Sequence, residues 1–109
     1  MNGALAALVW CPFPDAASAR LAAEQLLADG LIACANILPE VESLFAWEGQ
    51  ISAARETAVM FKTSSGKLAT LISRLGELHP YDAPSIIGWC CDAAHPATMN
   101  WLGDTLGDT

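Results

Sequence analysis

Ser43-Leu44-Phe45-Ala46-Trp47-Glu48-Gly49-Gln50-Ile51 reads as a β-hairpin. Glu48-Gly49 is a turn dipeptide between two runs rich in apolar and aromatic residues. Working outward, 33–47 forms one long strand, bent or bulged near Pro39, and 50–63 forms its antiparallel return. Both exceed the usual five or six residues of a strand. The outer part, 42–55, is therefore expected to project from the body as an arm. Phe45 and Trp47 stand at the i, i+2 spacing of one strand face. Two aromatics on a projecting arm are costly to leave in water, which predicts that they meet a neighbouring subunit.

A strand and a helix precede the hairpin. Residues 4–11 are a short apolar run bounded by prolines, as in a strand buried on both faces. Asp15 is a good N-cap, and Ala19, Ala22, Ala23, Leu26 and Leu27 make a helical stripe that Gly30 ends. After the hairpin, Ser64 or Ser65 caps a second helix with its stripe at Leu68, Leu71, Ile72, Leu75 and Leu78. Residues 85–92 read as a strand with Ile86 and Cys90 on one face and Ile87, Trp89 and Cys91 on the other. Pro96 opens a short last helix carrying Met99, Trp101, Leu102 and Leu106.

The order β-α-β-β-α-β defines the fold class as α+β, a ferredoxin-like sandwich with a long β2-β3 hairpin and a short C-terminal helix. Right-handed crossovers put both main helices on one face of the sheet. On this reading the first and last strands are central and their second faces are apolar. Only the short last helix remains to cover them, so a closed oligomer with sheets facing inward is expected. Trp89 then joins Phe45 and Trp47 at the subunit interface.

Composition agrees. At 109 residues the chain is expected to be one domain, 1–109. Its hydrophobic fraction is 53% and only 16% is charged, against about 25% in an average protein. The net charge is −7 and no basic cluster occurs, so nucleic acid is not an expected partner. No run reaches the roughly 18 apolar residues of a membrane span. The apolar start, 1–10, lacks a preceding lysine or arginine and is read as a first strand rather than a signal peptide. Cys11, Cys34, Cys90 and Cys91 form no CxxC pair. They are expected to be reduced, with Cys34 in the core, in a cytoplasmic protein.

The candidate chemistry lies in His79-Pro80-Tyr81-Asp82-Ala83-Pro84. Proline fixes its own φ and keeps the preceding residue extended, so this connector is stiff. Cys11 near the end of the first strand and His79 just before the last form a thiol and imidazole pair suited to copper or zinc. Asp82 or a neighbouring subunit would add a ligand. The same pair as nucleophile and base lacks a third orienting group, so no enzyme is expected. A second possibility is a cleft for a metabolite near Trp47, Lys62 and Tyr81. His95 reads as a helix-capping residue.

Several pieces together resemble the CutA family of divalent-cation tolerance proteins. They are 9–15 (VWCPFPD), 31–37 (LIACANI), 43–51, Phe61-Lys62-Thr63, the 79–84 connector and Trp101-Leu102. The resemblance spans nearly the whole chain. It implies a ferredoxin-like subunit in a tight cytoplasmic homotrimer with a role in metal tolerance, copper being the usual metal. Cys11 and His79 match the family's proposed copper ligands. Leu78 stands where the family often has a second histidine, and Ser85 where it usually has glutamate; both changes imply weaker metal binding. The resemblance thus implies a non-enzymatic homotrimer that binds copper or another divalent cation weakly. The trimeric form also resembles the nitrogen-regulatory PII proteins, which makes a small-molecule sensor or adaptor using the inter-subunit clefts the alternative.

Overall fold

The computed structural model describes residues 4–107. Four strands, β1 (Ala6–Phe13), β2 (Cys34–Trp47), β3 (Gln50–Ser64) and β4 (Ile87–Cys90), form one sheet in the order β2-β3-β1-β4, with every neighbouring pair antiparallel. The helices are α1 (Ala16–Ala28), α2 (Leu68–Leu78) and α3 (Pro96–Leu106). The first three residues of the apolar start lie outside the described residues. The β-α-β-β-α-β order holds, but the strand placement corrects one expectation. β1 and β3 are central, while β4 is a four-residue edge strand. The tight hairpin keeps β3 beside β2, and β3 pairs with β1 along all eight residues of β1. That leaves β4 only the other side of β1.

Local signals act largely as read. The Asp15 carboxylate accepts from the Ser18 N–H at 2.8 Å and caps α1. At the other end Gly30 has φ +73°. Its N–H bonds to the Leu27 carbonyl, and the Leu31 N–H bonds to the Leu26 carbonyl, the paired bonds of a Schellman stop. α2 starts later than expected, after a 3-10 turn at Ser65–Lys67, because the Ser65 hydroxyl instead accepts from the Leu5 N–H.

The core lies between one sheet face and the two main helices. Alternate residues Val9, Cys11 and Phe13 of β1 and Val59 and Phe61 of β3 meet Ala19, Ala22, Ala23 and Leu26 of α1 and Leu71 and Leu75 of α2. Leu27 turns outward and is exposed. Cys34 corrects its assignment as well: it is half-buried and outside this cluster, and Cys90 is exposed. The β2 register pairs Cys34 with Lys62 on the opposite sheet face, which explains the difference. α3 packs against β3 and buries Leu102 and Leu106 outside the main core.

The hairpin gives the molecule its 47 Å long axis against 26 and 22 Å. Its turn has φ +49° at Glu48 and +78° at Gly49, the two positive values a two-residue type I′ turn requires. The expected irregularity at Pro39 is a bulge. Leu38 pairs with Ala58 and Val41 with Glu56, so Pro39 and Glu40 oppose Thr57 alone.

Gly88 fixes how β4 meets α2. A Cβ there would lie 2.9 Å from both Leu68 Cδ1 and Val9 Cγ2 and 3.2 Å from the Leu8 carbonyl. Gly76, inside α2, has open space around it. Urea denaturation should therefore show Gly88→Ala destabilising by about 1–3 kcal/mol. Gly76→Ala should stabilise by about 0.5–1 kcal/mol. Equal effects would contradict the close approach at Gly88.

Candidate functional site

The connector leaves α2 at His79, which is extended at φ −73° and ψ 137°. This turns the imidazole back under the sheet end, where only 7% of the residue is exposed. Its Nε2 lies 2.8 Å from the Pro12 carbonyl oxygen, and its Nδ1 lies 3.1 Å from the Tyr81 backbone nitrogen. A carbonyl can only accept and a backbone N–H can only donate, so Nε2 carries the proton and Nδ1 accepts. The ring stacks on Phe13 at 4.5 Å and tilts against Tyr81 at 4.9 Å, while Phe13 meets Phe61 edge-on at 6.5 Å. A row of four rings thus runs from the core to the surface. At its outer end the Tyr81 hydroxyl donates to Glu56 Oε2 on β3 at 3.0 Å.

Cys11 lies beside this row, fully buried, with its Sγ 3.8 Å from the same Pro12 carbonyl. Burial, and then the Glu56 charge, push its thiol up to about 12. The Tyr81 hydroxyl is also held up at about 12, by desolvation first and then by its bond to Glu56 and that residue's charge. At neutral pH both groups are protonated.

These facts test the expected metal ligands. The proton occupies His79 Nε2, and the Tyr81 N–H takes the Nδ1 lone pair. Cys11 is a thiol rather than the thiolate that metals bind. Among the described residues, no three His, Cys, Asp or Glu side chains gather as a metal site. As arranged here, Cys11 and His79 do not fit a metal. Asp82, the third member of the expected set, does stand on an open surface.

That surface is a groove of about 880 Å³ between the arm and the connector. Ser43, Phe45, Trp47, Ser52, Ala54 and Glu56 line its arm side, and Pro80, Tyr81, Asp82, Ala83 and Ser85 its connector side, with Pro12 at its base. Trp47, Tyr81 and Asp82 all line this groove, with Trp47 opposite Gln50 towards the arm tip and Tyr81 at Glu56. The groove excludes Lys62, which lies six residues beyond Glu56 along β3, about 20 Å away at 3.4 Å per residue. Phe45 and Glu56 were not expected in the cleft. The bulge accounts for Phe45: it shifts β2 by one residue against β3, bringing Phe45 and Trp47 onto the face of Glu56. Leu44, 72% exposed, and Ile51, 87% exposed, then face the opposite way. Trp89 is remote, in the cross-strand row with Leu8 and Lys62. His95 caps α3 as expected, its Nδ1 accepting from the Ala97 N–H at 3.0 Å.

The structure is thus a four-stranded antiparallel α+β subunit with a projecting hairpin arm and a stiff connector beside it. The family described as CutA1 divalent ion tolerance protein matches residues 7–105, and the chain belongs to that family. The divalent-cation tolerance protein CutA of Thermococcus kodakarensis is 38% identical over 101 residues, covering 93% of this chain and 96% of that protein. The CutA homolog of Xenopus laevis is 31% identical, covering 97% of this chain and 70% of that protein. The crystal structure of CutA1 from Ehrlichia chaffeensis superposes with a TM-score of 0.90 at 28% identity, covering 96% of this chain and 98% of that one.

The buried thiol and the tyrosine set an alkaline limit on stability. Each has a raised value in the folded chain, so its contribution is complete below the ordinary value, 9.0 for the thiol and 10.0 for the phenol. It declines as pH rises from there towards about 12. Urea midpoints measured from pH 7.5 upward should fall above about pH 9, and Cys11→Ala should fall less steeply. Identical profiles would show that the thiol titrates freely.

Proposed function

We propose that the chain acts in divalent-cation tolerance as a non-enzymatic homotrimer in the cytoplasm, holding copper or a related cation weakly. The family membership carries the tolerance role. The four free cysteines support a reducing compartment. The assembly follows from unpartnered apolar surface. Phe45 and Trp47, with Leu44 and Ile51, on the arm and Ile87 and Trp89 on edge strand β4 are large, exposed and apolar, and an edge strand left open in this way needs covering. Three copies placed with the arm of one against the sheet of the next would bury both patches in a closed ring.

The weakness of metal binding follows from the donors on offer. Cys11 is held as a thiol and His79 has no lone pair to give, which leaves Asp82 as the donor a cation meets first. Two or more further ligands must come from water or a neighbouring subunit.

Two measurements test this reading. Sedimentation velocity at micromolar concentration should show a trimer, and Ile51→Glu should dissociate it; a stable wild-type monomer would end the proposal. Copper titration by calorimetry under reducing conditions should show weak binding, further weakened by Asp82→Asn and unchanged by Cys11→Ser or His79→Phe. Tight binding lost in Cys11→Ser would show instead that the thiol leaves the core to ligate.

A further inference from the structure

Backbone strain in the arm falls at two places with one cause. Glu40 and Glu48, at φ +55° and +49°, are the only non-glycine residues with positive φ among the described residues. A side chain with a Cβ adopts this region reluctantly. Glu40 sits in the bulge at the base of the arm, and Glu48 in the turn at its tip. Between them β2 pairs with β3 one residue out of step with the rest of the sheet: Leu38 opposes Ala58, but Val41 opposes Glu56. Carrying the first register on through the arm would relieve both residues. Pro39 alone would oppose Thr57, Glu40 would oppose Glu56 as an ordinary strand residue, and Ala46 would come opposite Gln50. The turn would then be Trp47-Glu48-Gly49, a common hairpin loop that needs the left-handed conformation only at its last position, where the glycine stands. Pro39 suits this register too. The Ser65 N–H bonds to the Leu5 carbonyl, so odd-numbered residues of β3 bond to β1 and even-numbered ones to β2. A proline opposite Thr57 would aim its nitrogen, which has no hydrogen, at the open edge of the sheet.

The charges pull the other way. In the observed register Glu42 opposes Arg55. In the second register Val41 would oppose Arg55, and Glu40 would stand directly across from Glu56. Opposite charges facing each other across a strand pair stabilise it, and like charges destabilise it. Hydrophobic patterning does not decide, because Phe45 and Trp47 on one arm face and Leu44 and Ile51 on the other are all exposed.

We infer that the arm is a two-register element. Backbone geometry favours the bulge-free register, and the charges of Glu40, Glu42, Arg55 and Glu56 hold the bulged one. A slip of one residue takes Phe45 off the groove face and puts Leu44 onto it, so one hairpin presents two different surfaces. The pairing of β3 with β1 is untouched, and the rest of the sheet stays as it is. A neighbouring copy seated on Phe45 and Trp47 would select the observed register, but the inference does not rest on that copy or on metal binding.

Nuclear magnetic resonance of the full chain in its assembled state reads the register. Ala53 stands in a non-hydrogen-bonded pair, where facing α-protons come close. Its Hα should contact the Leu44 Hα in the observed register and the Ser43 Hα in the second. Wild type should show the Leu44 contact, with relaxation dispersion of the arm amides reporting the second register as a minor state. Glu48→Asn suits the positive φ at the tip and should lower the minor population about fivefold. Glu40→Lys turns the repulsion across from Glu56 into attraction, and Arg55→Glu turns the attraction across from Glu42 into repulsion. Both positions are exposed. The double variant should make the second register the major one, with the Ser43 contact replacing the Leu44 contact while the contacts between β1 and β3 persist. The Leu44 contact alone in that variant, with β1 and β3 still paired, would overturn the inference. So would arm amides without dispersion in both wild type and Glu48→Asn.

Discussion

The imidazole of His79 fastens the end of β1 to the connector at one point. Nε2 holds the end of β1 through the Pro12 carbonyl, and Nδ1 holds the connector through the Tyr81 N–H. One ring face rests on Phe13 of the core and Tyr81 lies against the ring from outside. Tyr81 then reaches Glu56 on β3. A buried polar ring is tolerable only when each nitrogen has a partner. Here the partners are backbone groups on two separate segments, so satisfying the histidine also fixes where the connector runs. The wall of the groove follows from that placement.

The opposite wall depends on one extra residue. Strand side chains alternate faces, so a one-residue change of register exchanges them all. Pro39 and Glu40 against Thr57 make that change, and Glu40 takes a φ of +55° to do so. Without the bulge, Phe45 and Trp47 would point away from Tyr81 and Leu44 would point toward it. The groove thus arises from two local devices, a saturated histidine and a bulge, acting on strands that are otherwise regular.

Much of this was legible in the sequence because its causes are local. Glu48-Gly49 announced the turn, Asp15 and Gly30 the limits of the first helix, and the leucine spacing the buried face of the second. Strand order was less legible, since it depends on long-range pairing. The split βαβ order with right-handed crossovers made the first and last strands look central, whereas β4 is an edge strand on which Ile87 and Trp89 are exposed. Tyr81, Trp47 and Asp82 were read as candidates from the sequence, and all three line the groove. Lys62 looked equally eligible until the register placed it far along β3. The role of His79 could not be read from its neighbours, because its decisive partner is a carbonyl 67 positions earlier. The available hint was the Pro-x-Pro segment at 12–14: Pro12 and Phe13 pair with β3 on one side, and β4 does not reach them on the other.

Glu56 links the groove to the buried thiol. Its charge contributes to the raised values of both Cys11 and Tyr81. A cation seated beside Glu56 would offset that charge and ease the ionisation of both. The order of causes limits the effect. For Cys11 burial comes first and the carboxylate second, so neutralising Glu56 removes only the smaller contribution. The thiol would remain protonated at neutral pH with the groove filled. Recruiting Cys11 as a ligand therefore requires the end of β1 to open, which would break the contacts that place His79 and Tyr81. Ligation of a metal by Cys11 and the packed arrangement of His79 and Tyr81 thus exclude one another.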